Sequence, residues 1–333
     1  MRPTRDTALQ RPDLGQIAYE AMINAPQFGF IAPLVMPVFY VGTQAAEYPV
    51  IPKESLFNLL DTARGPLGHY NRSADSFESG YYKTAENGLE RRVDDRYQAM
   101  YASLFDYEAA ISMMLMNDIL RAWEYRVAVK LMNETNFETA IAAGTAWSTI
   151  ASAAPLTDVN AGITDLRGKG IVADTLIIDW TNYQYLRNNA AIRSALGTIF
   201  PDVRLTGNVT VEHLRSYFDL PKVIVAGALY NSAKRGQDAS LASIWGSTYA
   251  MVCKTASVGD DITTPCVGRT FVWNEGAQQE VIVEEYYNNE VRSNMLRVRH
   301  DTAEAFLSSY DSDNAVKSNI SLAAGYLIDA TGN

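Results

Sequence analysis

A four-residue repeat of apolar positions runs from Asp106 to Asn133, a stretch that contains neither Pro nor Gly. This spacing places apolar side chains on one face of a helix. Asp106 suits the N-cap position and Glu108 the first turn. The pattern therefore predicts a helix over 106–133, about 40 Å long. Its apolar face comprises Tyr107, Ile111, Leu115, Ile119, Trp123, Val127 and Leu131, widened by Met114, Ala122 and Val129.

Shorter patterns predict an α+β fold for the rest of the chain. Runs of apolar residues with intervening helices over 172–260 predict a small domain with a mixed sheet, and a Thr181–Gln184 capping box opens one of its helices. Two-residue alternation after Arg269 predicts antiparallel strands. The predicted strands are 174–179, 221–231, 243–254, 269–274, 280–289, 291–301 and 321–330; the predicted helices are 93–104, 157–167, 181–196, 210–220 and 313–319.

The N-terminal region predicts an extended arm, which could lie on its own domain or on a neighbouring subunit, and a protruding ribbon. Residues 1–50 form an apolar, extended arm after a short helix over 14–24, because Pro33 and Pro37 disfavour both helix and central strand. Residues 51–92 are polar with interleaved aromatics, and a structureless loop of that length is uncommon in a compact domain. The alternation favours a long β-hairpin that finds its partner on another molecule, since a lone two-stranded ribbon is marginally stable.

Composition narrows the classes of function. The 333 residues carry a net charge of −10, which argues against a broad grip on nucleic-acid phosphates. Cys253 and Cys266 form no disulfide framework or metal motif, so we expect two reduced, partly buried thiols. The polar N-terminus shows no secretory signal and no apolar run approaches a membrane span, so we expect an intracellular protein.

The sequence predicts no catalytic, cofactor-binding or metal-binding residues. The glycines of 162–170 lack the spacing of a phosphate loop. Adjacent carboxylates on a strand point to opposite faces and therefore do not converge. The separate candidates, each interpreted as a surface, interface or solvated residue, are His69, His213, His300, Asp260–Asp261, Glu284–Glu285 and the pair Asp311 and Asp313.

The order of these parts resembles the major capsid protein of tailed bacteriophages, which has the Hong Kong 97-type fold. The resemblance covers most of the chain and is clearest in its C-terminal half. The blocks that carry it are LIIDWTNYQYLRNNAAIR, TVEHLRSYFDLPKVIVAGALYN, SIWGSTYAMV, GRTFVWN and YYNNEVRSNMLRVRHD, in that order. They are compositional blocks rather than catalytic signatures, so their specificity lies in their order along the chain.

This resemblance implies a division of the chain. Residues 1–45 would be the N-terminal arm and 46–92 the extended β-hairpin loop. Residues 93–171 would form the peripheral domain with the spine helix 106–133, and 172–266 the axial domain. Residues 267–333 would return as the peripheral domain's β-sheet. Some relatives cross-link through a loop lysine, and Lys53 and Lys83 lie in that region, but no pairing can be read from the sequence.

The implied function is a major capsid protein that assembles as hexamers and pentamers into an icosahedral shell around a double-stranded DNA genome. The implied location is the virion, after assembly in the host bacterial cytoplasm. Expected partners are the chain itself, a separate scaffolding protein, a portal protein and decoration proteins, with weak, non-specific DNA contact, no membrane and no cofactor. The arm begins almost at once, which implies separate scaffolding or a mature form. Two alternatives are an encapsulin-like nanocompartment shell and a soluble α/β enzyme.

Overall fold

A computed structural model describes residues 9–11, 14, 29–50, 57–64, 68–72, 78–137, 140–257, 259–274, 281–307 and 324–332. Its strands are β1 (Leu9–Gln10), β2 (Val38–Val41), β3 (Ala45–Val50), β4 (Glu78–Lys83), β5 (Ala85–Asp94), β6 (Ile141–Ala142), β7 (Thr175–Asp179), β8 (Lys222–Ala226), β9 (Leu229–Asn231), β10 (Leu241–Ser243), β11 (Tyr249–Cys253), β12 (Cys266–Trp273), β13 (Ile282–Asn288), β14 (Ser293–Leu307) and β15 (Gly325–Asp329). Its helices are α1 (Ala32–Val35), α2 (Asp95–Tyr101), α3 (Tyr107–Leu131), α4 (Pro155–Gly168), α5 (Trp180–Asn188), α6 (Ala190–Ile199), α7 (Pro201–Thr206) and α8 (Val211–Phe218), with a 3₁₀ turn at Glu134–Asn136.

Helix α3 confirms the predicted long helix and corrects part of its buried face. It spans 25 residues after Asp106, whose carboxylate accepts the Ala109 N–H. Met114, Ala122 and Val129 are all exposed, because at 3.6 residues per turn they point away from the midline of the buried face. The buried residues are Ser112, Leu115, Met116, Ile119, Leu120, Trp123, Glu124, Val127, Ala128 and Leu131.

The first sheet is built around the long strand β14. Strands β13 and β5 both pair antiparallel with its first half, so they lie on its two opposite edges. Strand β12 pairs with the second half of β14, β1 flanks β13, and β2 adds to β12 in parallel. Helix α3 packs on β14 and β5. The predicted strands 269–274, 280–289 and 291–301 therefore do pair antiparallel within one sheet.

The second sheet has the order β6-β15-β11-β7-β8 and is mixed, as predicted for 172–260. Strand β11 is antiparallel to β15 and β7, whereas β7 is parallel to β8. Every residue of β7 is buried, since helices and the first sheet cover both faces. Residues of both sheets, among them Ile177, Met251 and Leu327 of the second and Leu296 of the first, belong to one apolar core with Trp123 of α3.

The expectation that residues 267–333 form a single sheet is wrong for their last strand. Strand β15 pairs with β11 of the second sheet, from Tyr249↔Asp329 to Cys253↔Gly325. Its apolar residues are buried, which suits a strand inside that sheet and not an edge. Likewise β6 pairs with β15, and α4 packs on it with Gly162 against the Tyr326 ring, so the part of 93–171 after Ile141 belongs with the second sheet.

The predicted hairpin is shorter than 46–92. Strands β3 and β4 pair antiparallel from Ala45↔Lys83 to Val50↔Glu78 and form the ribbon. Strand β5, which we expected within the hairpin, instead pairs with β14. Residues 51–56 and 73–77 lie outside the described residues, as do Lys53 and most of the predicted helix 14–24.

The observed bounds of several helices and strands differ from the predicted bounds, in part because of short polar side chains and proline. Pro33 stands in the first turn of α1, where a missing N–H costs nothing, so the arm is helical there. The predicted helix 181–196 is split, because Asn189 caps α6 by accepting the Ala191 and Ile192 N–H groups. Asp179, and not a Thr181–Gln184 box, caps α5. The predicted strand 221–231 is two strands, β8 and β9, and the predicted strand 243–254 contains the shorter strand β11. The predicted helix 313–319 lies outside the described residues.

Glu124 joins three parts of the chain from the middle of α3. Its side chain is fully buried. One carboxylate oxygen accepts the Ile31 N–H at 2.9 Å and the other the Ala32 N–H at 2.7 Å, at the start of α1. The Trp245 indole, between β10 and β11, donates to the same carboxylate. Glu124 therefore satisfies the free N–H groups of the arm's helix and holds the second sheet's loop to α3.

Burial raises the pKa of Glu124 from an ordinary value of 4.5 to about 7, against the opposing effect of its three donors. The folded state thus binds this proton more tightly than the unfolded state, and folding stability falls as pH rises from about 4.5 to about 7. The expected loss is about 3 kcal/mol across that window. Urea unfolding at pH 5 and pH 8 measures it.

The matched control is Glu124→Gln, which has nearly the same shape and no titration. The wild type should lose about 3 kcal/mol more than this variant between the two pH values. Equal pH dependence of the two proteins would show that Glu124 is not the buried titrating group.

Candidate assembly surfaces

The three histidines have unrelated surroundings. His69 is exposed in the segment 68–72. His213 completes a capping box with Thr210 at the start of α8. His300 is buried on β14 next to Arg126 of α3, and burial together with that cation lowers its pKa to about 3, so it is neutral. Arg126 also binds Glu304 at 3.1 Å, which ties α3 to β14.

The carboxylates of the two described acidic pairs are used in a turn and in ion pairs. The Asp260 and Asp261 carboxylates accept the backbone N–H groups of Ser257 and Ile262 and shape a turn. Glu284 binds Arg299 at 3.0 Å, whereas its neighbour Glu285 binds Arg11, as expected for opposite faces of β13. Asp311 and Asp313 lie outside the described residues.

Across the described ranges, no group of three or more His, Cys, Asp or Glu side chains is arranged to hold a metal ion. Among the described helices, none combines the length and apolar character that a bilayer span requires. Cys253 and Cys266 are free and buried, and burial raises the pKa of both thiols.

The ribbon is fixed to the first sheet by a stack of three rings, which we call the ribbon root. Tyr82 of β4 stacks on Phe271 of β12 with ring centroids 4.4 Å apart and an interplanar angle of 11°. Tyr48 of β3 lies against the same ring at 5.7 Å. The Tyr48 hydroxyl donates to the Phe306 carbonyl at 3.1 Å. Both strands of the ribbon are thus held to the first sheet by these rings.

A buried cation lies next to the ribbon root. Arg269 of β12 is fully buried. Its guanidinium lies 5.4 Å from the Phe39 ring centroid and donates to the carbonyl oxygens of Asp260 and Asp261. Cation–π contact and two carbonyl acceptors compensate part of the cost of burying this charge. The arginine anchors the turn before β12 beneath the ribbon.

Beyond the root, the segment between β3 and β4 exposes apolar side chains. Leu59 is 97% exposed and Tyr70 is 74% exposed. On the ribbon itself, Tyr81 points away from the root and is 67% exposed. Large exposed apolar side chains make this part of the chain a candidate contact surface.

A second apolar surface lies where α2 meets α3, and we call it the elbow patch: Tyr97, Met100, Leu104 and Phe105, all exposed. The Tyr101 ring supports it, with centroids 5.4 Å from Phe105 and 5.7 Å from Tyr107. Aromatic and methionine side chains are enriched at protein interfaces. The elbow patch is therefore a second candidate contact surface.

Sequence patterns indicated the ribbon but missed the residues that hold it. The aromatics of 51–92 suggested a two-faced ribbon, yet nothing local pairs Tyr82 with Phe271, which follows 189 positions later. Glu124 and Arg269 were also missed. A signal for Glu124 was present, because it stands four residues from Leu120 and from Ala128 within the apolar face of α3.

Comparisons with known proteins identify the fold. No family model matches the chain, and no curated protein matches it. Among solved structures, a phage-related protein from Bordetella bronchiseptica aligns with a TM-score of 0.68 and 16% identity over 98% of both chains. A structure from Microbacterium phage Oxtober96 aligns at 0.55 and 13% identity over 90% of both chains. A virus-like particle from Pyrococcus furiosus aligns at 0.54 and 11% identity, over 95% of this chain and 98% of that one.

The chain therefore has the fold of phage major capsid proteins, and the α+β class expected from the sequence is confirmed. At these identities the likeness concerns the fold alone.

The ribbon root makes a testable claim about what positions the ribbon. Phe271→Ala should destabilise the subunit by about 3–5 kcal/mol, because it removes a buried ring and leaves a cavity. It should also raise hydrogen exchange at the amides of 45–50 and 78–83, which lose their shared contact. Urea unfolding and exchange mass spectrometry measure the two effects.

The matched control is Phe39→Ala on β2, whose ring meets Phe271 edge-on at 5.9 Å instead of stacking on it as Tyr82 does. It should leave ribbon exchange close to that of the wild type. If Phe271→Ala left ribbon protection unchanged, the ring stack would not be what holds the ribbon.

Proposed function

We propose that this chain is the major capsid protein of a tailed bacteriophage, which assembles as hexamers and pentamers into an icosahedral shell around double-stranded DNA. The observation that carries the proposal is the alignment with a phage-related protein over 98% of both chains. The proposed location is the virion, with assembly in the cytoplasm of the host. We expect a separate scaffolding protein, a portal protein and decoration proteins as partners.

The surfaces of the single chain support this proposal. A ribbon anchored at one end, an exposed segment between its strands and the elbow patch are liabilities on a monomer, because they invite aggregation. In a shell each of them is covered by a neighbouring copy. Contacts between unlike surfaces of identical copies close into rings when the rotation between copies allows it. Rings of five and six are the units from which such a shell is built.

Charge is compatible with a container for DNA. The net charge of −10 disfavours strong adhesion of the shell to the phosphate backbone. A packaged genome has to leave the particle, so weak, non-specific contact suits this role. We propose that the subunit itself is not an enzyme, since the described acidic candidates serve in a turn (Asp260 and Asp261) and in ion pairs (Glu284 and Glu285).

A second candidate is the shell of a cellular nanocompartment. The observation that favours it is the alignment with the Pyrococcus furiosus virus-like particle. The same subunit shape serves either role, so the contents of the particle separate the two. A soluble enzyme is a weaker third candidate and requires a convergent polar site.

Electron microscopy of the purified full-length chain should reveal closed, uniform particles. Particles isolated from the natural host should contain nuclease-protected DNA of constant length, because the proposed role is genome storage. Particles that hold one enzyme and no DNA would favour the nanocompartment. A chain that stays monomeric at every concentration would contradict both shell roles.

The ribbon's projecting end should be needed for assembly and not for folding. Replacing residues 57–72 by a short Gly-Ser linker removes exposed side chains that no part of the described core requires. We expect unfolding in urea to change by less than about 1 kcal/mol, as for surface changes, and particles to be lost. A control that replaces the same number of residues by Gly and Ser keeps the loop length. Normal particles from either variant would contradict the assigned role of the segment.

A further inference from the structure

Strand β5 leaves one edge of the first sheet open. Its ten residues pair with β14 from Ala85↔Thr302 to Asp94↔Ser293. Among the described strands, none pairs with its other edge. Most of its side chains are exposed. An unpaired edge of this length presents a row of free N–H and C=O groups to another strand.

The two faces of β5 have different neighbours. Val93 is buried and Arg91 binds Asp118 of α3, so the odd-numbered residues face the helix. Glu90 binds Arg297, so the even-numbered residues face the opposite side. Leu89, on the helix side, is 46% exposed.

Two charges on the even face lack a partner. Glu86 and Arg92 are exposed, and neither forms an ion pair or side-chain hydrogen bond with any described residue. Each stands three residues from Leu89, one before it and one after it. They carry opposite charges on the same face, at equal distances from an exposed apolar residue.

We propose that β5 pairs antiparallel with β5 of a second copy of this chain, about a two-fold axis at Leu89. This inference rests on the proposed self-assembly and names one contact within it. Directly opposite residues in an antiparallel pair lie on the same face of the sheet. Glu86 of each copy then lies opposite Arg92 of the partner copy, which gives two equivalent ion pairs and extends the first sheet across both copies.

Charge selects this register over its neighbours. An axis at Gly88 would oppose Glu86 to Glu90 of the second copy, and an axis at Glu90 would oppose that residue to itself. Like charges directly opposite destabilise a strand pair. Moving the axis by one residue in either direction therefore replaces attraction by repulsion.

The helix side of the pair is apolar at the axis. Leu89 of each copy meets its equivalent there. Met114 of α3 is half exposed, and its Sδ lies 3.5 Å from Arg91, over the strand. Both side chains become covered when two copies meet. Met114, which lies outside the buried face of α3, then packs in the contact between copies.

Cysteine cross-linking tests the axis. Leu89→Cys should give disulfide-linked dimers in assembled material treated with copper phenanthroline, because opposite residues of an antiparallel pair lie within disulfide range. Asn87→Cys is the matched control on the same face. Its two copies would lie roughly 13 Å apart along the strands, which is beyond that range. Wild type should not cross-link, since Cys253 and Cys266 are buried.

A charge swap tests the ion pairs. Glu86→Arg opposes two cations and should reduce particle yield at least tenfold, while Glu86→Arg with Arg92→Glu should restore it. A mere folding defect would not be repaired by the second change. Full assembly of Glu86→Arg, or a folded double variant that fails to assemble, would overturn the proposal.

The results distinguish a failure of the proposed β5 pairing from a failure of the proposed shell role. Particles that form without a cross-link at position 89 overturn the β5 pairing and leave the shell role intact. A cross-linked dimer at position 89 without any particle supports the pairing and overturns the shell role.

Discussion

The carboxylate of Glu124 is the contact on which the arrangement of the chain depends. It lies in the middle of the longest helix, away from solvent, and its oxygens accept N–H groups from the arm and from the loop before β11. A buried charge costs free energy unless hydrogen bonds compensate it. Here the three donors come from segments that are distant in sequence, so compensation requires the arm, α3 and the second sheet to be in place together.

This constraint explains how one chain carries two sheets and two projecting elements. Helix α3 supports both sheets, because residues of both sheets pack with it in one apolar core. The arm is fixed at Ile31 and Ala32, and the ribbon is fixed at the ring stack on Phe271. Beyond the ring stack, Leu59 and Tyr70 of the segment between β3 and β4 are exposed. The two sheets and α3 share one core within a single copy, whereas we propose that other copies cover the ribbon, the elbow patch and the β5 edge.

Local patterns predicted the elements that depend on local physics. The four-residue repeat and Asp106 fixed α3 to within two residues at its C-terminus, and the apolar runs located β7, β8 and β13. The errors arose where distant residues decide. The apolar run of β15 identifies a strand, but its pairing with β11 rather than β14 depends on contacts about 75 positions away along the chain.

The assembly surfaces show the same division. The aromatics of 51–92 indicated a ribbon because alternation is a local signal, whereas the ring stack at Phe271 joins three strands far apart in sequence. Glu124 and Arg269 are charged residues inside apolar patterns, and their partners are mostly backbone groups, which carry no residue-specific signal. Assembly contacts are further still from local patterns, because they join residues of different copies.

We propose that a single copy is an incomplete unit. Sedimentation velocity of the purified full-length chain tests this most directly, since one copy has a mass of 36.8 kDa. We expect a sharp boundary of a much larger species that stays closed on dilution. A single 36.8 kDa species at every concentration, with the ribbon protected from hydrogen exchange, would contradict the account.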